Sequence, residues 1–459
     1  MSLIYKKEEK KAKESEIIME AKNGNSISAQ LELNTINDNN LSKAIESSII
    51  IENLYILDSA IPFCCDESEN ITINTKKENS NKMKNDNIFN EMNFKMLEFI
   101  KIIGNHKNSA DFIKELENNF LISGGTDNKL VFYSPQYQVI YNKKFPDWIY
   151  NICENKTMND ELEIIASSNK KTYLIKIDEK NYKFKICQEI EGSSLCIEFD
   201  NDNFIICYKR GGFHLLNLFS KVISIKREMK ISDNIYRGGI QMNDNIFALT
   251  SNRVIKSGED KLILYNTLTR LIKREICGYS FIFSSNGLSL INKNENTTLL
   301  CACKKYLKGQ KNGILIVNYE NGENSQINHF FYDTKHFEVF CFCPILVKNE
   351  SNNRILVGKM KAIQTDYFLV GGFETKKNKG MIKLYKIIYE KKFIETKIEF
   401  IQDIEIQKSK NFKGFKGPVS SIMQSKLNGK VLITCWDGNI YLFKPPNIDY
   451  FLFYDCNFP

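Results

Sequence analysis

An all-β chain, built from seven repeated four-stranded sheets closed into a ring, is the fold this sequence predicts. Three observations predict it. First, the 459 residues are 42% hydrophobic and hold 31 Phe and 21 Tyr against 8 Pro, which supplies a large core and favours strands over disorder. Second, a unit recurs from about residue 94: a short Asn/Asp-rich turn, an apolar run, a polar hairpin and a second apolar run. Successive units begin their first run at Phe120, Leu162, Phe204, Ile246, Leu299, Phe368 and Val431, spaced by about 42 residues early in the chain and by about 53–69 later; the longer spacings leave room for long loops. Third, a lone four-stranded sheet cannot bury both of its faces, whereas sheets set radially cover one another, so the units form a seven-bladed β-propeller.

Residues 1–93 stand apart. They read as an acidic, low-complexity extension, with a Lys/Glu-rich helix over 6–22, polar linkers, and one apolar stretch at 47–65 suited to docking. The propeller occupies 94–459. In its first unit "SADFIKEL", "LISGG", "KLVFYS" and "YQVIYNK" are four strands in order. The second-strand runs recur as "LEIIASS", "NFIICYK", "IFALTS", "TTLLCAC", "DYFLVGG" and "KVLITC". Their third-strand partners are "TYLIKID", "FHLLNLF", "KLILYNT", "GILIVNY", "MIKLYKI" and "NIYLFK". The segment "LEFIKII" (97–103) precedes the first unit and is expected to close the ring as the outer strand beside 439–444.

The first unit resembles a WD repeat: "GNH" opens it, an apolar-apolar-Ser-Gly strand follows, then a hairpin with Asp and a strand ending in an aromatic residue. The resemblance implies a hydrogen-bonded tetrad of His106, Ser123, Asp127 and Tyr133, with Tyr133 standing in for the usual Trp. The seventh unit is similar, with "KGFKGPVSSI" as the Gly-His-x-Gly-Pro-Val opening and Phe415 in place of the His. Here "TCWDGN" is misleading. By register, Asp437-Gly438 is the hairpin turn and Trp436 ends the second strand, while Phe443 takes the aromatic position that names the family. The chain is thus similar to a divergent WD40-like propeller over about 360 residues.

No HExxH, GxSxG or phosphate-binding Gly loop occurs, and only four His are present, so no enzyme activity, cofactor or metal site is expected. Cys301/Cys303 and Cys341/Cys343 each place two thiols on one side of a strand. A four-thiolate zinc site is the alternative to core filling. "YKRGG" (208–212) and "IYRGG" (235–239) echo the Phe-Arg-Arg-Gly motif of phosphoinositide-binding propellers, but each has a single Arg.

Residues 1–100 carry 12 Lys and 17 Asp/Glu, net −5, and the remainder is net +13. The second-to-third-strand hairpins and the links between units are rich in Lys, whereas the opposite turns are Asn-, Asp- and Glu-rich. A ring basic on one face and acidic on the other follows. The expected function is a non-catalytic protein–protein interaction scaffold that presents the basic face to acidic protein partners within a larger assembly. The candidate partner-binding residues are Trp148, Lys209, Arg210, Tyr236, Arg237, Lys376, Lys377, Lys379, Phe415 and Lys416, with Trp148, Tyr236 and Phe415 as exposed anchors. A phosphoinositide- or anionic-membrane-binding propeller is the alternative, and an RNA-associated one a third reading without the aromatic-basic stacking motifs that RNA recognition uses. With no signal peptide or apolar membrane span in the sequence, and scattered cysteines, a cytoplasmic or nuclear location is expected.

Overall fold

The computed structural model describes residues 96–445, less 117, 156–161, 169, 179–182, 201–202, 209–212, 218–223, 230–234, 244, 253–259, 270, 283–284, 294–295, 307–309, 321–326, 348–362, 390–395 and 408. The extension expected over 1–93 lies outside the described residues. Every described element is a strand except the 3-10 turn Ser285–Gly287.

The described strands group into seven hydrogen-bonded sheets. The first sheet sets the pattern: Ala110–Glu115, Leu121–Gly125, Lys129–Tyr133 and Val139–Lys144 lie side by side in chain order, each antiparallel to the last. Burial grades outward along it. The second strand is buried at every position, while the fourth has only exposed and half-buried residues. The sequence dictates this gradient, because "LISGG" has no charge to solvate and "VIYNKK" has two.

Alternation along each strand distributes the core to both sides of a sheet. In the first sheet Phe112, Ile122, Leu130 and Phe132 pack with Ile164, Ala166 and Tyr173 of the second sheet. Their odd-numbered neighbours Ile113, Leu121, Val131 and Tyr133 pack instead with Leu432, Ile440 and Leu442 of the seventh. Each sheet packs against the next in chain order, and the seventh against the first. The molecule is an all-β propeller.

Two sheets depart from the pattern. In the fifth, the first strand is split into Tyr279–Phe281 and Leu288–Lys293, both paired with Asn296–Tyr306. The 3-10 turn between them reaches across the ring, where Asn286 Nδ2 donates to the carbonyls of Asp111 at 2.9 Å and Ser420 at 3.4 Å. In the seventh, the strands from the chain's end, Val419–Gln424, Val431–Cys435 and Asn439–Lys444, are completed by Met96–Asn105 from its beginning. The register pairs Phe99 with Phe443, Ile102 with Tyr441 and Asn105 with Asn439. Glu405–Ile406 adds a short parallel strand outside it.

The closure is tight enough to demand glycine. Gly438, at the hairpin of the seventh sheet, has φ +90°, and a Cβ there would collide with the carbonyl oxygen of His106. That approach lets the His106 amide donate to the Gly438 carbonyl at 2.8 Å. Gly438→Ala should therefore cost about 3 kcal/mol, from left-handed strain plus the clash. Gly192→Ala is the control. Its φ is +73° but nothing lies within 4 Å of the added Cβ, so about 1 kcal/mol is expected. Urea unfolding of both variants measures the difference.

Candidate binding surface

The structure joins His106, Ser123, Asp127 and Tyr133 in one hydrogen-bonded chain. His106 Nδ1 lies 2.8 Å from Asp127 Oδ1, and Nε2 lies 2.9 Å from Ser123 Oγ. Ser123 Oγ is 3.1 Å from the Tyr133 hydroxyl. A carboxylate only accepts, so Nδ1 donates to Asp127; in the neutral ring Nε2 then accepts from Ser123, whose oxygen accepts from Tyr133. Asp127 also accepts from the amides of Lys107 and Lys129. Burial pushes the Asp127 carboxyl up, but the His106 bond, these amides and the nearby imidazole outweigh it and hold the pKa below the usual value. Burial raises the Tyr133 hydroxyl. The seventh sheet solves the same turn without a His: the Tyr441 hydroxyl donates to Asp437 Oδ2 at 2.7 Å, and the amides of Lys416 and Asn439 donate to the same carboxylate.

Two of the three expected aromatic anchors are not at the surface. Tyr236 is fully buried. It alternates inward on its strand and packs with Phe247, Leu249 and Ile263. The "IYRGG" glycines serve packing too, since a Cβ on Gly239 would strike Ile197 of the preceding sheet. Phe415 is also buried. In the position of a relay His it cannot hydrogen-bond, and it sets its ring edge-on to Phe412, Tyr441 and Phe443 instead. Trp148 is half-buried, its indole N–H donating to Asp111 Oδ2 at 2.8 Å.

Among the expected cations, Lys209 and Arg210 lie outside the described residues, and Arg237 is described by its backbone alone. Lys376, Lys377 and Lys379 are exposed on the hairpin that joins Ile363–Glu374 to Lys379–Tyr389. Lys416 is exposed on the loop leading into the seventh sheet. The two meet because Gly380 has no side chain: a Cβ there would run into Phe415 and the Gly417 carbonyl. Lys377 lies 3.5 Å from Asp403.

The face is less uniformly basic than the loop composition implies. Lys170 pairs with Asp147 at 3.1 Å, Lys304 with Glu338 at 2.5 Å and Lys311 with Asp333 at 3.3 Å. On the opposite side, Glu115 is half-buried and engaged. It accepts from Ser425 Oγ and the Lys426 amide, both at 2.6 Å, and burial raises its pKa. The paired cysteines also separate: Cys301 and Cys303 belong to one apolar cluster, Cys341 and Cys343 to another. Burial raises all four thiols, as core filling does.

A feature missed by sequence reasoning is a cavity of about 750 Å³ at the mouth of the ring. First-strand ends and hairpins of several sheets converge there, bringing together Trp148, Tyr150, Phe281, Phe340 and Trp436. Trp436 is 49% exposed, its ring 5.1 Å from Phe340 and nearly perpendicular to it. Asp111 lies in the wall. Its carboxylate accepts from Trp148 and, at 2.7 Å, from Ser109 Oγ. Burial nevertheless outweighs these two bonds and raises its pKa to about 6. The one sequence signal was "NSADF" after His106, an Asp among small residues at the start of an inner strand.

The two aspartates respond to pH with opposite signs. Asp127, lowered in the fold, contributes stability above its unfolded pKa that is lost as pH falls through its folded value. Asp111, raised from 3.8 to about 6, favours the fold below pH 3.8, and that contribution is lost as pH rises through 6. Asp111→Asn should accordingly gain up to about 3 kcal/mol over the parent at pH 7.5, narrowing towards zero near pH 4, by urea unfolding at the two pH values. Asp127→Asn should lose about 3 kcal/mol at pH 7.5, and Tyr133→Phe about 1 kcal/mol.

No family model matches this sequence, and no curated protein matches it. Among solved structures, one described as "Structure of U3-55K" is similar over 75% of this chain and 98% of its own, at 9% identity and a TM-score of 0.47. That likeness carries no functional argument. The radial sheets and the strand Met96–Asn105 inside the last of them make this chain an all-β propeller, and the His–Asp–Ser–Tyr relay carries its resemblance to a WD repeat.

Proposed function

We propose that this protein is a non-catalytic interaction scaffold, a seven-bladed ring that presents a lysine cluster to an acidic segment of a partner protein within a larger assembly. The observation that carries the reading is the junction of the sixth and seventh sheets. Two loops meet there, Gly380 of one against Phe415 and Gly417 of the other, and between them they carry the exposed Lys376, Lys379, Lys413 and Lys416. None of the four has an ion pair among the described residues, unlike Lys170, Lys304, Lys311 and Lys377. Such a cluster attracts an acidic peptide and raises its rate of encounter. The seven sheets and their cyclic packing support the blade count. The ten free cysteines among the described residues, most of them buried in apolar surroundings, fit a reducing compartment such as the cytoplasm or nucleus.

The test is charge reversal at the cluster. Lys376→Glu, Lys379→Glu and Lys416→Glu combined should weaken binding of a fluorescent hexaglutamate peptide at least tenfold, read by anisotropy. Binding to the parent should weaken steeply between 50 and 200 mM salt. An affinity unchanged by the reversal defeats the reading. Flotation with phosphoinositide vesicles, lost on the same reversal in the absence of peptide binding, would assign the cluster to a membrane surface instead.

A further inference from the structure

We propose that the aromatic cavity at the mouth of the ring is a second binding site, which takes a lysine or arginine side chain offered by a basic peptide of a partner protein. The argument rests on walls, charge and size. The walls are aromatic: Trp148, Tyr150, Phe281, Phe340 and Trp436 surround about 750 Å³. That volume suits a small ligand or a few residues of peptide, and aromatic faces attract cations.

The charge is negative and local. Three charged side chains line the cavity: Asp111, Lys304 and Glu338. Lys304 and Glu338 are 2.5 Å apart and neutralise each other. Asp111 is left with two hydrogen bonds, from Ser109 and Trp148, and no ion pair among the described residues. Asp127 of the same sheet adds a like charge to its surroundings and is itself held by His106. A half-buried carboxylate without a counter-charge is costly, and a cation entering the cavity supplies one. The two bonds it already accepts leave lone pairs for further donors. A hard divalent metal is a poor fit, since it needs several oxygen ligands where the cavity offers one unpaired carboxylate and aromatic rings. An ammonium or guanidinium on an apolar stem matches both the rings and the acid.

Entry is from the face that carries the lysine cluster, and Trp436 stands half-exposed at the edge. The occupant must therefore be basic where it meets the centre of the ring. This site stands independently of the rim cluster, which selects the opposite charge.

The chain supplies its own reporter. It has 2 Trp, and both line the cavity, so fluorescence excited selectively at tryptophan reports this site. The probe is a Gly/Ser-spaced peptide with four lysines, compared with the same peptide carrying N-acetyl-lysine. A saturable change with the first and none with the second is expected. Asp111→Asn, which keeps a side chain able to accept the Trp148 bond, should weaken binding at least tenfold. Lys304→Met, which frees Glu338, should tighten it several-fold, the reverse of what a folding defect does. Reversal of Lys376, Lys379 and Lys416 should not abolish the response, so this proposal and the rim reading fail separately. An equal response to the two peptides, or an affinity unaltered by Asp111→Asn, overturns the proposal.

Discussion

The structure depends on the seam at which the chain's beginning enters its last sheet. Met96–Asn105 lies against Asn439–Lys444, more than 330 residues away in sequence. The bonds across the seam, Asn105 to Asn439 and the His106 amide to Gly438, continue into bonds between the last sheet and the first: Ser420 Oγ to the Ala110 carbonyl, Ser425 and Lys426 to Glu115, and the Tyr137 hydroxyl to Asn428. Without this strand the last sheet would present an unpaired edge. Because the loop it closes spans nearly the whole propeller, the joint rewards folding only when every sheet between is in place.

The relay belongs to the same joint. His106 follows directly on the closing strand, and its side chain ties that strand's end to the first sheet through Asp127 and Ser123. Tyr133, at the far end, lies so close beneath Gly104 that a Cβ on the glycine would strike its hydroxyl. One group of residues thus connects the end of the closing strand, the second strand of the first sheet and its hairpin. A lone His or Asp at such a point would be a buried polar group in need of a partner. Linked, each satisfies the next.

Radial packing also decides where chemistry can occur. Inner strands converge on the axis, so their first residues crowd together with the hairpins above them. That convergence makes a cavity from residues as distant as Asp111 and Trp436. Towards the rim the loops diverge, and lysines there pair with acids of their own sheet, as Lys311 and Lys377 do, or remain open to solvent. One face consequently carries an acidic, aromatic centre and a basic patch at one junction.

The sequence alone determined the local pattern. Runs such as "LISGG", "LEIIASS" and "VLITC" lie on second strands, and "KLVFY", "TYLIKID" and "NIYLF" on third strands. Period-two apolarity and Asn/Asp/Gly turns are short-range properties that a linear reading captures. The turn at Asp437-Gly438 was legible for the same reason, and so was the relay, whose members sit at fixed offsets from a single hairpin. Tertiary structure decided what faces water. Nothing in "IYRGG" or "GFKG" says that Tyr236 and Phe415 point inward, because burial depends on the neighbouring sheet. Nor can spacing reveal that Lys304 meets Glu338, or that Asp111 and both tryptophans share one cavity. Those juxtapositions come from closing the ring, which brings sheets from opposite ends of the chain to a common axis.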